Sequence, residues 1–305
     1  MSKLVVILGP TASGKTSLAT NLAYKFKGEI ISADSRQIYR GMDIGTGKDL
    51  HEYCIENVTI PYHLINILNP VENYSVYTFK KDFLKIYDSL IDRDALPILC
   101  GGTGLYIESI LLDYQMANIP PNEAFRSKLE QKTLNDLIYK IKHTDKIDYD
   151  SIYHTTKRRI IRSLEILNYK KDNDIIKNID QNSIKPIVFG IDVERKTILR
   201  NIQLRLESRL NNGMIDEVKE LINKGLNLER LKYFGLEYKF IGEYLYNNIS
   251  YSQMKEKLNF AINRFSKKQM TFFRRMEKRG IKINWVKADD IQLIYNKINK
   301  YLYEL

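Results

Sequence analysis

An α/β architecture, a parallel sheet flanked by helices and carrying a mostly helical insert, follows from three features of this 305-residue chain. Short β-branched runs alternate with helical patterns, and a glycine-rich loop joins the first such run to the first helix. The strand signal then disappears from about Tyr114 to Tyr169. Strands alternating with helices pack as parallel sheets, because each helical crossover returns the chain in the same direction.

The first strand is expected at Leu4–Leu8 and its helix at Thr16–Phe26. A second strand, Glu29–Ser32, runs into Asp34 and the polar, glycine-punctuated loop "SRQIYRGMDIGTGK". A helix over Val76–Ile91 leads to a third strand, Pro97–Cys100. In the next stretch "NEAFRSKLEQKTLNDLIYKIK" and "TTKRRIIRSLEIL" read as amphipathic helices, and the polar "KKDNDIIKNIDQNSIKP" leads back to a strand at Ile187–Ile191. The core domain is therefore discontinuous, 1–114 and 186–305, around an insert of 115–185. Helical patterns over 195–225 and 251–280 and a strand at Ile281–Val286 complete it.

A net charge of +11 suits a polyanionic partner, with a bias toward lysine-rich composition as the plainer explanation. Two cysteines, Cys54 and Cys100, exclude a disulfide framework and a four-thiolate zinc site, and fit a reduced, cytoplasmic protein. The four histidines lack metal-ligand spacing. No window of about 18 apolar residues occurs, so no membrane partner is expected.

"GPTASGKT" matches G-x-x-x-x-G-K-[ST] at Gly9, Gly14, Lys15 and Thr16, between a strand and a helix as the mechanism demands. Backbone N–H groups of such a P-loop wrap phosphate oxygens, the helix N-terminus adds partial positive charge, Lys15 reaches a terminal phosphate and Thr16 can ligate Mg²⁺. In a parallel sheet, strand C-termini face one crevice, which brings Asp34 and the glycines and hydroxyl of "CGGTGLYI" toward that loop. Asp34 then has three open readings: a water-mediated Mg²⁺ ligand, a cap for the following turn, or a general base. In the long C-terminal helix, Leu258, Ile262, Phe265, Phe272 and Met276 form an apolar stripe for packing. Arg264, Lys268, Arg275 and Arg279 form a basic one, either a solvated face or a seat for a phosphate backbone.

The blocks "GPTASGKTSLA", "SADSRQIYRGMDIGTGK", "GGTGLYI", "RRIIRSLEI", "ERKTILRNIQLRLESRLNNGMIDEV" and "RFSKKQMTFFRR" occur in that order and cover nearly the whole chain. The sequence resembles the bacterial tRNA dimethylallyltransferases, also called tRNA isopentenylpyrophosphate transferases. The resemblance implies a P-loop NTPase-like fold. It also implies transfer of a dimethylallyl group from dimethylallyl diphosphate to N6 of the adenosine 3′ of the anticodon in tRNA, with pyrophosphate released. Carried over by position, Asp34 is the base, Thr103 meets the bridging oxygen and Arg205 the diphosphate, with a solvated helix charge as the alternative for Arg205. Gly9, Pro10, Thr11, Ala12, Ser13, Gly14, Lys15 and Thr16 form the cradle, with Mg²⁺ as cofactor. The resemblance places Asp34, Ser35, Arg36, Gln37 and Thr103 at the flipped base, with Gln37 suited to an adenine edge. It places Arg126 and the segment Arg158, Arg159, Ile160, Ile161 and Arg162 on tRNA, where a solvated helix face is the alternative. A monomer is expected. Three blocks depart from the family pattern, at Thr155-Thr156, at "FGLEYK" from Phe234 to Lys239, and at Thr271-Phe272. Competing readings are an adenylate isopentenyltransferase acting on free AMP, a P-loop kinase or NTPase, and a non-catalytic RNA-binding module.

Overall fold

A computed structural model describes residues 2–114, 119, 121–143, 156–172, 184–287 and 289–303. His154, Thr155 and most of the polar stretch before Ile184 lie outside the described residues. The chain forms two compact units, Met1–Tyr114 with Gln181–Leu305, and Gln115–Asp180.

The first unit is built on a six-stranded parallel sheet. Its strands are β1 (Ser2–Leu8), β2 (Gly28–Ser32), β5 (Tyr62–His63), β6 (Leu96–Gly101), β7 (Ile184–Ile191) and β8 (Ile283–Val286). They lie in the order β5-β2-β6-β1-β7-β8, and every pairing is parallel. Two further strands, β3 (Cys54–Ile55) and β4 (Val58–Thr59), form a small antiparallel hairpin after a 3₁₀ turn at Leu50–Tyr53. The hairpin and β5 are absent from the sequence reading because two-residue strands carry no periodicity. Strand β7 starts three residues before the expected Ile187, and β8 two residues after the expected Ile281.

The helices of this unit are α1 (Lys15–Phe26), α2 (Val76–Asp92), α3 (Gly104–Leu111), α7 (Arg195–Asn211), α8 (Met214–Asn223), α9 (Leu228–Phe234), α10 (Leu236–Leu245), α11 (Tyr251–Lys278) and α12 (Ile291–Tyr303). Local chemistry sets their ends. Gly14 occupies a left-handed conformation (φ 80°) where the P-loop turns into α1, which a residue with a Cβ adopts only at a cost. The Ser75 hydroxyl accepts from Thr78 N at 3.1 Å to start α2, and Ser250 and Gln253 form a reciprocal capping box at α11. Strands β1 and β2 bury Val5, Ile7 and Ile30 against Leu18, Ala19 and Leu22 of α1, in the core that fixes the P-loop's base.

The second unit holds α4 (Glu123–Glu130), α5 (Leu134–Lys142) and α6 (Lys157–Asp172). Its separate core comprises Leu129, Leu137, Ile141, Ile160, Ile161 and Leu164.

Candidate active site

The C-terminal ends of β1, β2 and β6 open into a cavity of about 640 Å³ in the first unit. Thr11, Ala12, Ser13, Gly14, Lys15 and Thr16 line one wall, Asp34, Ser35, Arg36 and Gln37 a second, and Gly101–Gly104 a third. Asn201, Arg205 and Arg209 of α7 and Ile262, Phe265, Lys268, Gln269 and Phe272 of α11 close it. Gly9 and Pro10 do not face this space. Both are buried, with Gly9 packed so that a Cβ would fall 2.7 Å from Ser13 Oγ, while Pro10 O accepts from Lys15 Nζ at 3.2 Å. They brace the cradle from behind instead of lining it.

The GGTG loop comes close to β2 because Gly101 has no side chain. A Cβ there would lie 2.3 Å from Ala33 O. That approach lets Thr103 Oγ1 accept from Ser35 N at 3.0 Å and donate to Ser35 Oγ at 3.4 Å, on the wall of the cavity. Asp34 Oδ1 accepts from Arg36 N at 2.9 Å. The turn-capping reading of Asp34 therefore holds for one carboxylate oxygen, and it does not exhaust the group.

Gln37 lines the cavity with both ends of its amide engaged. Its Oε1 accepts from Ser32 Oγ at 3.1 Å and its Nε2 donates to Gly47 O at 2.9 Å, so both ends of the amide already tie the loop to the sheet. The "GMDIGTGK" part of that loop is held from inside. Lys48, 1% exposed, donates to Tyr39 O, Asp43 Oδ1 and Asn66 Oδ1. Glu217 of α8 accepts from the N–H groups of Asp43, Ile44 and Gly45. A carboxylate bound by three successive amides is a strong local anchor. Neither contact is visible in the sequence, since no spacing links Glu217 to a loop more than 170 residues away.

Lys15, Arg205 and Arg209 all line the cavity that the cradle faces. Burial lowers the Lys15 pKa, Arg205 adds to that effect, and the thiol of Cys100 and carboxylate of Asp34 oppose it. Burial, then Arg209, brings Arg205 down to about 10. Its guanidinium donates to Thr11 Oγ1, and Arg209 pairs with Asp49 at 2.9 Å. Like cations crowded in a poorly hydrated site gain from an arriving polyanion. Ser13 Oγ is buried without a hydrogen-bond partner at the same cradle. Burial raises the carboxyls of Glu237 and Glu52, both on the cavity wall, and raises the Cys100 thiol to about 12.

Helix α11 corrects the expected stripes. Its packed residues include Phe273, not Phe272, and Phe265 is 45% exposed; Phe265 and Phe272 both line the cavity. Among the four cations, Lys268 lines the cavity and Arg264 is exposed. Arg275 Nη2 pairs with Glu108 Oε2 at 2.7 Å and Arg279 Nη1 with Glu108 Oε1 at 3.0 Å, and that carboxylate is fully buried on α3. Those two arginines fasten the helix and are not a free basic stripe.

In the second unit, Arg158 and Arg159 are exposed. Ile160 and Ile161 are buried in that unit's core, so their side chains are unavailable to RNA. Arg126 binds Glu165 in a two-pronged pair at 3.0 and 2.9 Å, and Arg162 joins the same carboxylate at 2.5 Å.

Among the described residues no group of three or more His, Cys, Asp or Glu could hold a metal ion. Thr16 lines the cavity at the start of α1, and its hydroxyl would hold a Mg²⁺ ion arriving with a diphosphate, since Mg²⁺ takes few protein ligands and would supply charge neutralisation there.

The family model for IPP transferase matches residues 37–276. The chain belongs to the IPP transferase family. A second model, isopentenyl transferase, matches residues 2–59 of this family member. It is 43% identical over 298 residues to tRNA dimethylallyltransferase 1 of Syntrophus aciditrophicus, covering 98% of each chain. It is 46% identical over 308 residues to tRNA dimethylallyltransferase 1 of Azobacteroides pseudotrichonymphae, covering 97% of this chain and 98% of the relative. The crystal structure of the full-length tRNA isopentenylpyrophosphate transferase from Bacillus halodurans superposes with a TM-score of 0.72 at 31% identity, over 100% of this chain and 98% of that one. A eukaryotic dimethylallyltransferase acting on tRNA shares the fold, with a TM-score of 0.69 at 20% identity over 94% of this chain and 74% of that one. The IPP transferase fold is thus the P-loop-bearing parallel sheet described above.

Proposed function

We propose that the protein transfers the dimethylallyl group of dimethylallyl diphosphate to N6 of the adenosine 3′ of the anticodon in tRNA. The observation that carries this reading is one cavity lined by both a P-loop and Asp34, in a chain of the IPP transferase family. An adenine amine is a weak nucleophile, and its attack on the allylic carbon is helped by a positioned acceptor for its proton. The N6–C bond forms as the allylic C–O bond breaks, the amine proton passes to the free oxygen of Asp34, and the electron pair leaves on the diphosphate. The N–H groups of the cradle, Lys15, Arg205 and the Thr103 hydroxyl receive that developing charge. Mg²⁺, held by Thr16 and the diphosphate, would shield part of it.

The adenine reaches the cavity only when extruded from the stack, at a cost of a few kcal/mol. Ser35 and Arg36 stand where the base arrives, with Gln37 holding their loop. Arg264 and Lys268 of α11 and Arg158 and Arg159 of the helical insert supply phosphate contacts, supported by the excess of positive charge. No helix among the described residues is long and apolar enough to cross a membrane. The enzyme works as a monomer in the cytoplasm, where tRNA is made and used.

The deciding experiment incubates the protein with labelled dimethylallyl diphosphate and either unmodified tRNA or AMP. Label in the tRNA alone is expected. Label in AMP would assign the adenylate reaction, and phosphate release from ATP without any acceptor would assign a kinase-like NTPase.

A further inference from the structure

We propose that Gln269 of α11 is the positioning residue of the diphosphate clasp, setting the separation between the P-loop and the GGTG loop. Its Oε1 accepts from Thr11 N at 2.8 Å, and its Nε2 donates to Gly102 O at 2.9 Å. The side chain is buried on the helix face that also presents Lys268 and Phe272 to the cavity. One amide therefore joins the two loops that hold opposite sides of the leaving group.

The residue type is dictated by its partners. One backbone donor and one backbone acceptor need an acceptor and a donor at the same side-chain end, which an amide supplies and a carboxylate or thioether does not. Gly102 is part of the device, since a Cβ there would fall 2.4 Å from Gln269 Nε2. Helix α7 holds the adjacent atoms: Asn201 Nδ2 donates to Ala12 O at 3.2 Å and Arg205 donates to Thr11 Oγ1. Ala12 itself sits at φ 63°, a conformation non-glycine residues keep only when their surroundings enforce it. The P-loop apex is thus shaped by two helices distant in sequence, and Gln269 spans from it to the second loop.

This inference rests on the diphosphate-donor reading, and its test is separable from it. The full-length protein and its Gln269→Met and Gln269→Glu variants are titrated with inorganic pyrophosphate by calorimetry, and each folded state is checked by thermal unfolding. Losing both bonds leaves buried backbone groups unpaired, so Gln269→Met should bind pyrophosphate about ten- to a hundredfold more weakly. Gln269→Glu, which also sets a negative charge beside the anion, should bind more weakly still. KM for dimethylallyl diphosphate should rise in step, while tRNA affinity and its salt dependence stay as in the parent. Gly102→Ala displaces the same amide from the other side, so it should reproduce the loss, and the double variant should be no weaker than the weaker single. If Gln269→Met fails to fold, Gly102→Ala decides alone. A folded variant that binds pyrophosphate like the parent, or losses that add in the double variant, would overturn the proposal. A parent that binds pyrophosphate yet labels no tRNA would instead overturn the functional reading and leave Gln269 standing.

Discussion

Asp34 has two duties that a single substitution can separate. One carboxylate oxygen caps the turn through Arg36 N, and the other is the proposed proton acceptor. Asp34→Asn keeps an oxygen for the cap and removes the base. Turnover should fall by about two to four decades with pyrophosphate affinity unchanged, as loss of a general base demands. An equal loss of donor affinity in the same titration would reassign the group to binding or to metal. The cations opposite it make a second prediction. Lys15 and Arg205 favour the anion only while protonated, and both pKa values lie below the ordinary ones, Arg205 at about 10. Pyrophosphate affinity should therefore fall as pH rises through that region, and Arg205→Met should reduce the slope of log Kd against pH by about one. An unchanged slope would show that Arg205 does not lose its proton there. At this scale the sequence was informative wherever chemistry follows from a contiguous motif. Lys15, Thr16, Asp34 and Thr103 stand in contiguous motifs and all line the cavity, whereas the roles of Gln269 and Glu217 depend on contacts that no spacing encodes.

Helix α11 was legible as an element and in most of its apolar face: Leu258, Ile262 and Met276 are buried as expected, while Phe265 and Phe272 line the cavity. Two adjacent phenylalanines, Phe272 and Phe273, both satisfy a helical period within the scatter of side-chain directions; Phe273 is the fully buried one, and the Phe272 ring lies against Gly104 of α3 at the cavity. The basic stripe likewise divides in two because Glu108, a buried carboxylate on another helix, captures Arg275 and Arg279. The two halves should respond differently to mutation. Arg264→Ala with Lys268→Ala should weaken tRNA binding and lower the slope of log K against log salt by about two, one for each lost phosphate contact. Arg275→Ala with Arg279→Ala should leave that slope alone. It should instead lower stability by about 1–3 kcal/mol, since both guanidinium groups are partly hydrated but Glu108 would be left buried without its cationic partners. Denaturant unfolding of the two pairs, read beside filter-binding salt titrations, tells these effects apart. A salt slope that moves with Arg275 and Arg279 would return them to the RNA surface.

At the scale of the whole chain, two separate cores support two compact units. The sheet and its helices hold the cradle, while Leu129, Leu137, Ile141, Ile160, Ile161 and Leu164 hold the three helices of the other unit by themselves. The sequence marks this division because strand patterning stops where the insert begins. A core of so few side chains has little stability to spare. Leu137 is fully buried within it, and Leu137→Ala removes several methylene-sized contacts at a typical cost of ~2–5 kcal/mol. That loss should loosen α4, α5 and α6 and free their arginines from a fixed arrangement, so tRNA affinity should drop. The cradle draws its packing from the other core, so pyrophosphate affinity should stay at the parent value. Hydrogen exchange should accelerate over 121–143 and 156–172 and remain slow in β1, β2 and β6. A variant that loses pyrophosphate binding together with tRNA binding, or whose exchange rises throughout the sheet, would show that the two cores are one cooperative unit.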